Sequence, residues 1–236
     1  MRVLSWNLLK TAGADAADIA HLVEQHRPDL VILQEATEAI EALPGLLGGH
    51  FVHKVMPRRG DGPAAWSPLP FEATTMDLPR AGRLDLPVPI FRSTLPRLAL
   101  ILRLGTLQVA NVHLDHGQRA NRRQLRHLLD RLPQLDMVVG DFNALGPTNL
   151  AGFIDVGPRR TTHRAYGLVP LRLDRCLVRG LRCTTATALG FGKSDHRPIL
   201  VELLPDHDDR TTQIDAQARQ PIESAYSSAP GGVADA

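Results

Sequence analysis

Short apolar runs separated by polar and glycine-rich segments make up the first part of the chain. Val3 to Trp6 predicts a first strand, and Leu30 to Leu33 predicts a second, buried strand. Between them, apolar residues recur at helical spacing from Ala14 to His26, and Pro28 stops the predicted helix. The chain therefore opens with a strand, a helix and a second strand.

Strand-like and helix-like patterns also alternate in the second half of the chain. Arg97 to Leu104 and Leu107 to Val112 predict a hairpin, and Gln118 to Leu132 predicts an amphipathic helix with leucines on one side. The remaining predicted strands are Met137 to Gly140, Leu171 to Val178, Leu181 to Ala188 and Ile199 to Leu204. Many short strands with few helices predict an α/β (α+β) fold of two packed sheets flanked by helices, rather than a doubly wound parallel sheet.

Two segments depart from this pattern. Pro57 to Pro96 is dense in proline and glycine, and only Ala64 to Ser67 and Phe71 to Thr75 look extended, so we expect long loops that help to choose the substrate. From Pro205 onward the chain is polar, with little apolar content. We therefore predict one domain over residues 1–204 and a disordered tail over residues 205–236.

Composition narrows the class of protein. The sequence has no apolar run of the roughly 20 residues needed to span a bilayer, and its start, MRVLSWN, lacks the features of a secretory signal. Two cysteines are too few for a disulfide framework or a thiolate metal cluster. If Arg179 and Gly180 form a two-residue hairpin turn, Cys176 lies opposite Cys183 as a pair of reduced core thiols. We expect a cytoplasmic monomer that does not insert into membranes.

The net charge of +2 is unevenly distributed. Residues 205–236 carry six acids and two arginines, so residues 1–204 have 25 basic and 19 acidic side chains, a net charge of +6. This balance suits a polyanionic substrate such as nucleic acid, or a phospholipid surface. Arginine outnumbers lysine 24 to 3, which fits phosphate recognition, although a biased codon composition explains it equally well.

Polar residues cluster at the ends of the predicted strands. They are Asn7, Gln34, Glu35, His113, Asp141, Asn143, Asp174 within LRLDRCLV, and the run Ser194, Asp195 and His196. Strands packed in a sandwich bring their ends to a common rim, so residues far apart in sequence can line a single pocket.

These residues fall in six short motifs: WN, QE, NVHL, GDFN, LDR and SDH. Their order and spacing over residues 1–204 resemble those of the endonuclease/exonuclease/phosphatase superfamily. The resemblance implies a four-layered sandwich of two mixed sheets with helices outside, and a metal-dependent phosphoesterase. LDR replaces the strand motif usual in that family, and Leu9 stands where the abasic-site branch tends to have an acid. We therefore do not expect a base-excision repair enzyme.

The resemblance implies a metal site of oxygen ligands. Glu35, with help from Asn7 and Asp195, is expected to hold Mg²⁺, with Mn²⁺ as a possible substitute, because both ions prefer carboxylate, amide and water ligands. Such a cation, together with an activated water, is what hydrolysis of a phosphate diester requires.

The remaining motif residues carry expected roles in proton transfer and phosphate binding. His196 would take a proton from the attacking water or, if charged, steady the phosphate, and Asp174 would fix its tautomer. In an extended GDFN segment, Asp141 and Asn143 would project the same way, Asp141 to orient the nucleophile or the leaving oxygen and Asn143 to hold the phosphate or the water. His113 matches the phosphate-binding histidine of the deoxyribonuclease and sphingomyelinase branches.

Other residues near these motifs are two histidines, a glycine and four arginines. His116 and His163 are expected at the surface, and Gly140 is expected to allow a tight approach or simply a turn. Arginines that could grip flanking phosphates are Arg58, Arg59, Arg122 and Arg123.

Three functions remain open at this point. The first is a phosphodiesterase or endonuclease acting on nucleic acid. The second is a phosphatase or lipid phosphodiesterase acting on a small or membrane headgroup. The third is a binding protein that kept the fold and lost catalysis, which the retention of Glu35, Asp141, Asn143, Asp195 and His196 argues against.

Overall fold

Two six-stranded mixed sheets form the centre of the molecule in the computed structural model, which describes residues 1–11, 13–57, 59–80 and 96–206. In spatial order, the first sheet contains β13 (Leu181–Ala188), β14 (Ile199–Pro205), β1 (Arg2–Asn7), β2 (Leu30–Ala36), β4 (Gly62–Ser67) and β3 (His50–His53). The second contains β5 (Glu72–Leu78), β6 (Arg97–Leu104), β7 (Leu107–His113), β8 (Met137–Asp141), β12 (Asp174–Val178) and β9 (Ile154–Asp155).

Three helices and a small hairpin complete the described elements. The helices are α1 (Ala16–His26), α2 (Leu43–Leu47) and α3 (Gln118–Arg131), with a single 3-10 turn at Glu38–Ile40. The hairpin pairs β10 (His163–Ala165) with β11 (Val169–Leu171). No helix in the described part of the chain is long and apolar enough to cross a membrane.

Alternation along the strands gives each sheet two buried faces. Val3 packs between the two sheets, whereas Leu4 points to the opposite face, where it joins Ile19 and Val23 of α1. The outer face of the second sheet packs in the same way on Leu125 and Leu128 of α3. The layers are therefore helix, sheet, sheet and helix, which confirms the predicted sandwich.

The element boundaries differ from the predicted ones where local hydrogen bonding decides them. Helix α1 begins at Ala16 rather than Ala14 because Asp15 is its N-cap and accepts hydrogen bonds from the amides of Ala17 and Asp18. The strand predicted from Leu171 to Val178 is broken into the end of β11 and β12. Strand β3 and helix α2 were not predicted. Between Pro57 and Pro96, the two pieces predicted to be extended overlap β4 and β5, which continue beyond them at Gly62 and Leu78, and residues 81–95 lie outside the described residues.

The predicted hairpin at Arg179 and Gly180 is wrong. Strand β12 pairs with β8 in the second sheet, whereas β13 pairs with β14 in the first, so the turn carries the chain from one sheet to the other. Cys176 and Cys183 are free cysteines that contribute to the packing between the sheets.

Met1–Pro205 form one compact unit. The predicted tail lies outside the described residues from position 207 onward, and its disorder stays a prediction.

Candidate active site

Strand register brings polar residues from distant parts of the chain to one rim. In the parallel pair β1–β2, Asn7 lies opposite Gln34, and in the parallel pair β7–β8, His113 lies opposite Asp141. Strand β12 runs antiparallel to β8 and starts with Asp174 opposite Asp141. Asp174 therefore stands at a strand end, not inside a strand as the sequence suggested.

His196 and Asp174 form a buried hydrogen-bonded pair at this rim. His196 Nδ1 lies 2.9 Å from Asp174 Oδ2, and both side chains are more than nine-tenths buried. Thr162 Oγ1 accepts a hydrogen bond of 3.0 Å from the Asp174 amide, which fixes the start of β12. The histidine is held through its backbone, since its carbonyl accepts a bond of 2.9 Å from Trp6 Nε1.

The charge of this pair follows from its neighbours. Burial alone would lower the pKa of His196, but the carboxylates of Asp174 and Asp141 raise it to about 10. Burial also raises the pKa of Asp174, an effect that the charge of His196 opposes. Both shifts keep a proton on the pair at neutral pH, and we assign it to the imidazole because its ordinary pKa is the higher of the two. His196 is thus an imidazolium oriented by a carboxylate.

Asp141 contacts three of the other polar side chains at this rim. Its Oδ2 accepts a hydrogen bond of 3.0 Å from Asn7 Nδ2 and lies 3.8 Å from His196 Nε2 and 3.5 Å from His113 Nε2. Burial alone would raise the pKa of Asp141, but the charge of His196 and the hydrogen bonds from the Asn143 and Asn7 amide groups lower it to about 2. Asp141 is therefore ionised at neutral pH.

Asn143 is not extended, contrary to the sequence-based expectation. Its φ is +48°, and its amide donates a hydrogen bond of 2.9 Å to Asp141 Oδ1, so the two residues form a tight turn. Asn143 Nδ2 donates to Leu114 O at 3.0 Å. Gly140, which precedes Asp141, has φ +137°. A Cβ at Gly140 would collide with the Val112 carbonyl.

His113 lies between two acids. Its Nδ1 is 3.8 Å from Glu35 Oε1, while its Nε2 faces Asp141. Burial, followed by the positive charge of Arg97, holds the pKa of His113 well below its ordinary value, which makes the imidazole neutral. Arg97 itself is a buried residue that the sequence analysis missed, and its Nε bonds Asp115 Oδ1 at 3.1 Å.

The three predicted metal ligands have different hydrogen-bond partners. Glu35 has φ +51° at an irregularity in β2, and its Oε2 accepts a bond of 3.1 Å from the Lys10 amide. Asn7 Oδ1 accepts a bond of 3.1 Å from the Leu9 amide. Asp195 Oδ1 is buried and lacks a hydrogen-bond partner.

This donor set fits a hard cation in its chemistry, because it offers carboxylate and amide oxygens and one of them is unsatisfied. The tightest clusters of possible ligands are different ones. The ligand atoms of Asp141, Asp174 and His196 lie within 4.8 Å of one another, and so do those of His163, Asp195 and His196. Within the ranges that the structure describes, neither cluster includes Glu35, so the grouping of Glu35 with Asp195 around one ion stays a prediction.

The expectation that His163 lies at the surface is wrong. Its side chain is 13% exposed, and its ring lies 4.2 Å from that of His196, centroid to centroid. No motif marks His163, because it reaches the site through the docking of the β10–β11 hairpin, which is a tertiary contact. His116 is exposed, as expected.

The arginines proposed to grip phosphates have varied surroundings. Arg59 is not free, since its Nη2 bonds Asp61 Oδ2 at 3.0 Å and its side chain is 5% exposed. Arg123 bonds the carbonyl of Arg80, and Arg122 is exposed. Arg58 lies outside the described residues.

The four-layered sandwich with a polar site at one rim defines the deoxyribonuclease-like sandwich class. Residues 4–196 match the Endonuclease/Exonuclease/phosphatase family, and the chain belongs to this family. Its members are hydrolases that act on phosphate esters. A comparison with curated protein sequences finds no match.

Solved structures share the fold at low sequence identity. TDP2 of D. rerio, complexed with a single-strand DNA product, is 17% identical with a TM-score of 0.65, covering 86% of this chain and 98% of that one. The human Nocturnin catalytic domain with bound sulfate is 19% identical with a TM-score of 0.62, covering 87% and 93%. The Bacteroides thetaiotaomicron mannosyl-6-phosphatase Bt3783 is 18% identical with a TM-score of 0.59, covering 86% and 99%.

Proposed function

We propose that this protein is a metal-dependent phosphodiesterase that hydrolyses nucleic acid. The observation that carries the proposal is the buried His196–Asp174 pair, with the free ring nitrogen of His196 facing the ionised Asp141. Two opposite charges and an oriented imidazole at one rim are suited to bind a phosphoryl group and to position a water molecule against it.

Each residue has a role that follows from its protonation state. His196 is charged and donates from Nε2 to a phosphoryl oxygen, while Asp174 accepts from Nδ1 and orients the ring. Asp141 is ionised, accepts a hydrogen bond from the attacking water and so orients it. Asn143 holds the phosphate or the water through its side-chain amide, and neutral His113 binds the phosphate as well.

Glu35, Asn7 and Asp195 would hold Mg²⁺ or Mn²⁺. Bound there, the ion would supply Lewis-acid polarisation of the phosphoryl oxygens. Of the two forms of His196 that the sequence left open, the charged one cannot accept a proton, so the proton of the attacking water passes to another acceptor, for which Asp141 is the candidate.

Nucleic acid is favoured as substrate by the charge of residues 1–204, which is +6. The likeness to D. rerio TDP2 with a single-strand DNA product and to Nocturnin agrees with this choice, although a phosphatase shares the fold to a similar degree. A cytoplasmic location and a monomeric state stay predictions.

A substrate panel tests the proposal. It contains single- and double-stranded DNA and RNA, bis(p-nitrophenyl) phosphate, p-nitrophenyl phosphate and sphingomyelin, each with Mg²⁺, Mn²⁺ or EDTA. We expect metal-dependent cleavage of a nucleic acid and of the diester in preference to the monoester. Preference for p-nitrophenyl phosphate or sphingomyelin would overturn the choice of substrate. If folded protein hydrolyses none of these substrates, the proposed activity is overturned.

A further inference from the structure

A pocket of about 610 Å³ begins two residues after Asn143. The side chains that matter for its chemistry are Leu145, Thr148, Ile154, Arg159, Arg172 and Arg175. Its size falls within the range of about 300–1,000 Å³ typical of ligand sites.

Arg175, which lines the pocket, is hydrogen-bonded to the loop that follows Asn143. Arg175 Nη2 donates to the carbonyls of Ala144 at 3.1 Å and Gly146 at 2.8 Å, directly after Asn143 in the chain. Arg175 follows Asp174 in β12, and neighbouring strand residues point to opposite faces. Strand β12 therefore carries Asp174, the partner of His196, on one face and Arg175, which lines the pocket, on the other.

The pocket has an excess of positive charge. Asp155 is its one carboxylate among the described lining residues, and it bonds both Arg172, through two contacts of 2.8 Å, and Arg175, at 2.9 Å. Arg159 makes only a contact of 3.4 Å to the Asp155 carbonyl in the described structure, and its side chain pairs with no acid there. Three arginines against one aspartate leave a net charge of +2.

Two polar atoms of the lining also lack hydrogen-bond partners. Arg175 Nε and Thr148 Oγ1 are both buried, and no described atom bonds them. Because both atoms are closed off from solvent, they do not themselves contact a ligand in the pocket. The group available to an anionic ligand is the exposed guanidinium of Arg159, which pairs with no acid in the described structure.

The rim supplies an apolar surface next to these cations. Leu145 is 75% exposed and Ile154 is 67% exposed, and both line the pocket. Apolar side chains beside the unpaired guanidinium of Arg159 fit a nucleotide, whose base has an apolar face and whose phosphate binds arginine in a planar, two-pronged geometry.

We infer that this pocket is a subsite for a second phosphorylated nucleotide unit of the substrate, adjacent to the scissile phosphate. The inference rests on the proposed function, because it assigns the catalytic rim to the first phosphate. It makes the preferred substrate a nucleic acid end or strand with at least two phosphates, rather than an isolated phosphate ester.

Calorimetric titration with thymidine 3′,5′-bisphosphate tests the subsite, with thymidine 3′-monophosphate and thymidine 5′-monophosphate as single-phosphate comparisons. Titrations are run with Mg²⁺ and repeated in EDTA, where hydrolysis stops. We expect the bisphosphate to bind wild-type protein roughly 10-fold more tightly than either monophosphate, which corresponds to one charge-assisted contact. Arg159→Gln should reduce this advantage to less than about 3-fold.

Arg160→Gln is the matched control, because Arg160 is the exposed neighbour of Arg159 and does not line the pocket. It should keep the full advantage of the bisphosphate. No advantage in the wild type, or an equal loss in both variants, would overturn the subsite. If the substrate panel shows no hydrolysis while the Arg159-dependent advantage persists, the proposed activity fails and the nucleotide subsite stands.

Discussion

The imidazole rings of His163 and His196 lie 4.2 Å apart with an angle of 39° between their planes. The backbones on either side hold them there, since the Arg164 amide donates to Asp195 O at 3.0 Å and the Arg197 amide donates to Thr162 O at 2.7 Å. The β10–β11 hairpin thus covers one face of the His196 ring and limits the positions that the ring can adopt.

Removing the His163 ring should disturb the orientation of His196 without removing its chemistry. We expect His163→Ala to lower kcat by about 10-fold, less than the loss from removing a catalytic acid or base. His163→Phe keeps a ring against His196 and should recover most of this loss, with KM little changed in both variants. Equal kcat in His163→Ala and wild type would show that the stacked ring does not position His196.

Glu35 is expected to act through the metal. Glu35→Gln should raise the Mg²⁺ concentration at half-maximal activity by roughly 10-fold or more, because one ligand loses its charge. Glu24→Gln, an exposed glutamate on α1, is the control and should leave the metal titration unchanged. The measurement is activity on bis(p-nitrophenyl) phosphate across a Mg²⁺ series, and coincident curves for Glu35→Gln and wild type would remove Glu35 from the ligands.

Gly140 should tolerate no side chain. Its φ of +137° is open to glycine and costly for other residues, and an added Cβ meets the Val112 carbonyl. We expect Gly140→Ala to lower the free energy of unfolding by about 3 kcal/mol and to reduce activity, since Asp141 and Asn143 follow it.

The comparison variant for Gly140→Ala is Gly180→Ala. Gly180 also has a positive φ, +66°, but nothing lies within 4 Å of its added Cβ, so the cost should be about 1 kcal/mol. Urea unfolding measures both, and similar losses in the two variants would contradict the steric account.

Asp155 should stabilise the fold through its two arginines. Burial alone would raise its pKa, but the hydrogen bonds and charges of Arg172 and Arg175 outweigh burial and lower it. A lowered folded-state pKa means that the stabilisation is present above the ordinary value of 3.8 and is lost as the pH falls through the folded-state pKa. We expect Asp155→Asn to cost about 3 kcal/mol at pH 7, because it leaves buried cations uncompensated.

The stability difference between Asp155→Asn and wild type should shrink when unfolding is measured near pH 3, roughly one unit below the ordinary pKa of Asp. Asp77→Asn is the matched control, since Asp77 is exposed on β5. A cost that stays constant between pH 7 and pH 3 would mean that the variant acts through packing and not through the lost charge.

Most of the helices and strands could be predicted from the sequence because the alternation of apolar and polar residues is a local pattern. Val3 and Leu4 already divide between the two faces of β1, and the leucines of α3 lie on one side. The sequence did not contain the pairing of distant strands. Cys176 and Cys183 looked like hairpin neighbours because nothing in a short turn distinguishes a hairpin from a crossing between sheets.

The site was predictable to the extent that motifs follow strand ends. Asp141, Asp174 and His196 were recognised from GDFN, LDR and SDH, and the structure brings these three together. His163 and Arg97 were missed because tertiary docking, and not a local pattern, brings them to the site. The turn at Asn143 was misjudged because an Asp side chain can close on a following amide, which overrides the extended alternation.

The most direct measurement is steady-state hydrolysis of bis(p-nitrophenyl) phosphate by wild-type protein and His196→Ala, each with Mg²⁺ and with EDTA. We predict metal-dependent turnover in the wild type and a kcat that is roughly 10²- to 10⁴-fold lower in the variant, with similar urea unfolding curves. Equal turnover by a folded His196→Ala variant would contradict the central role of the His196–Asp174 pair.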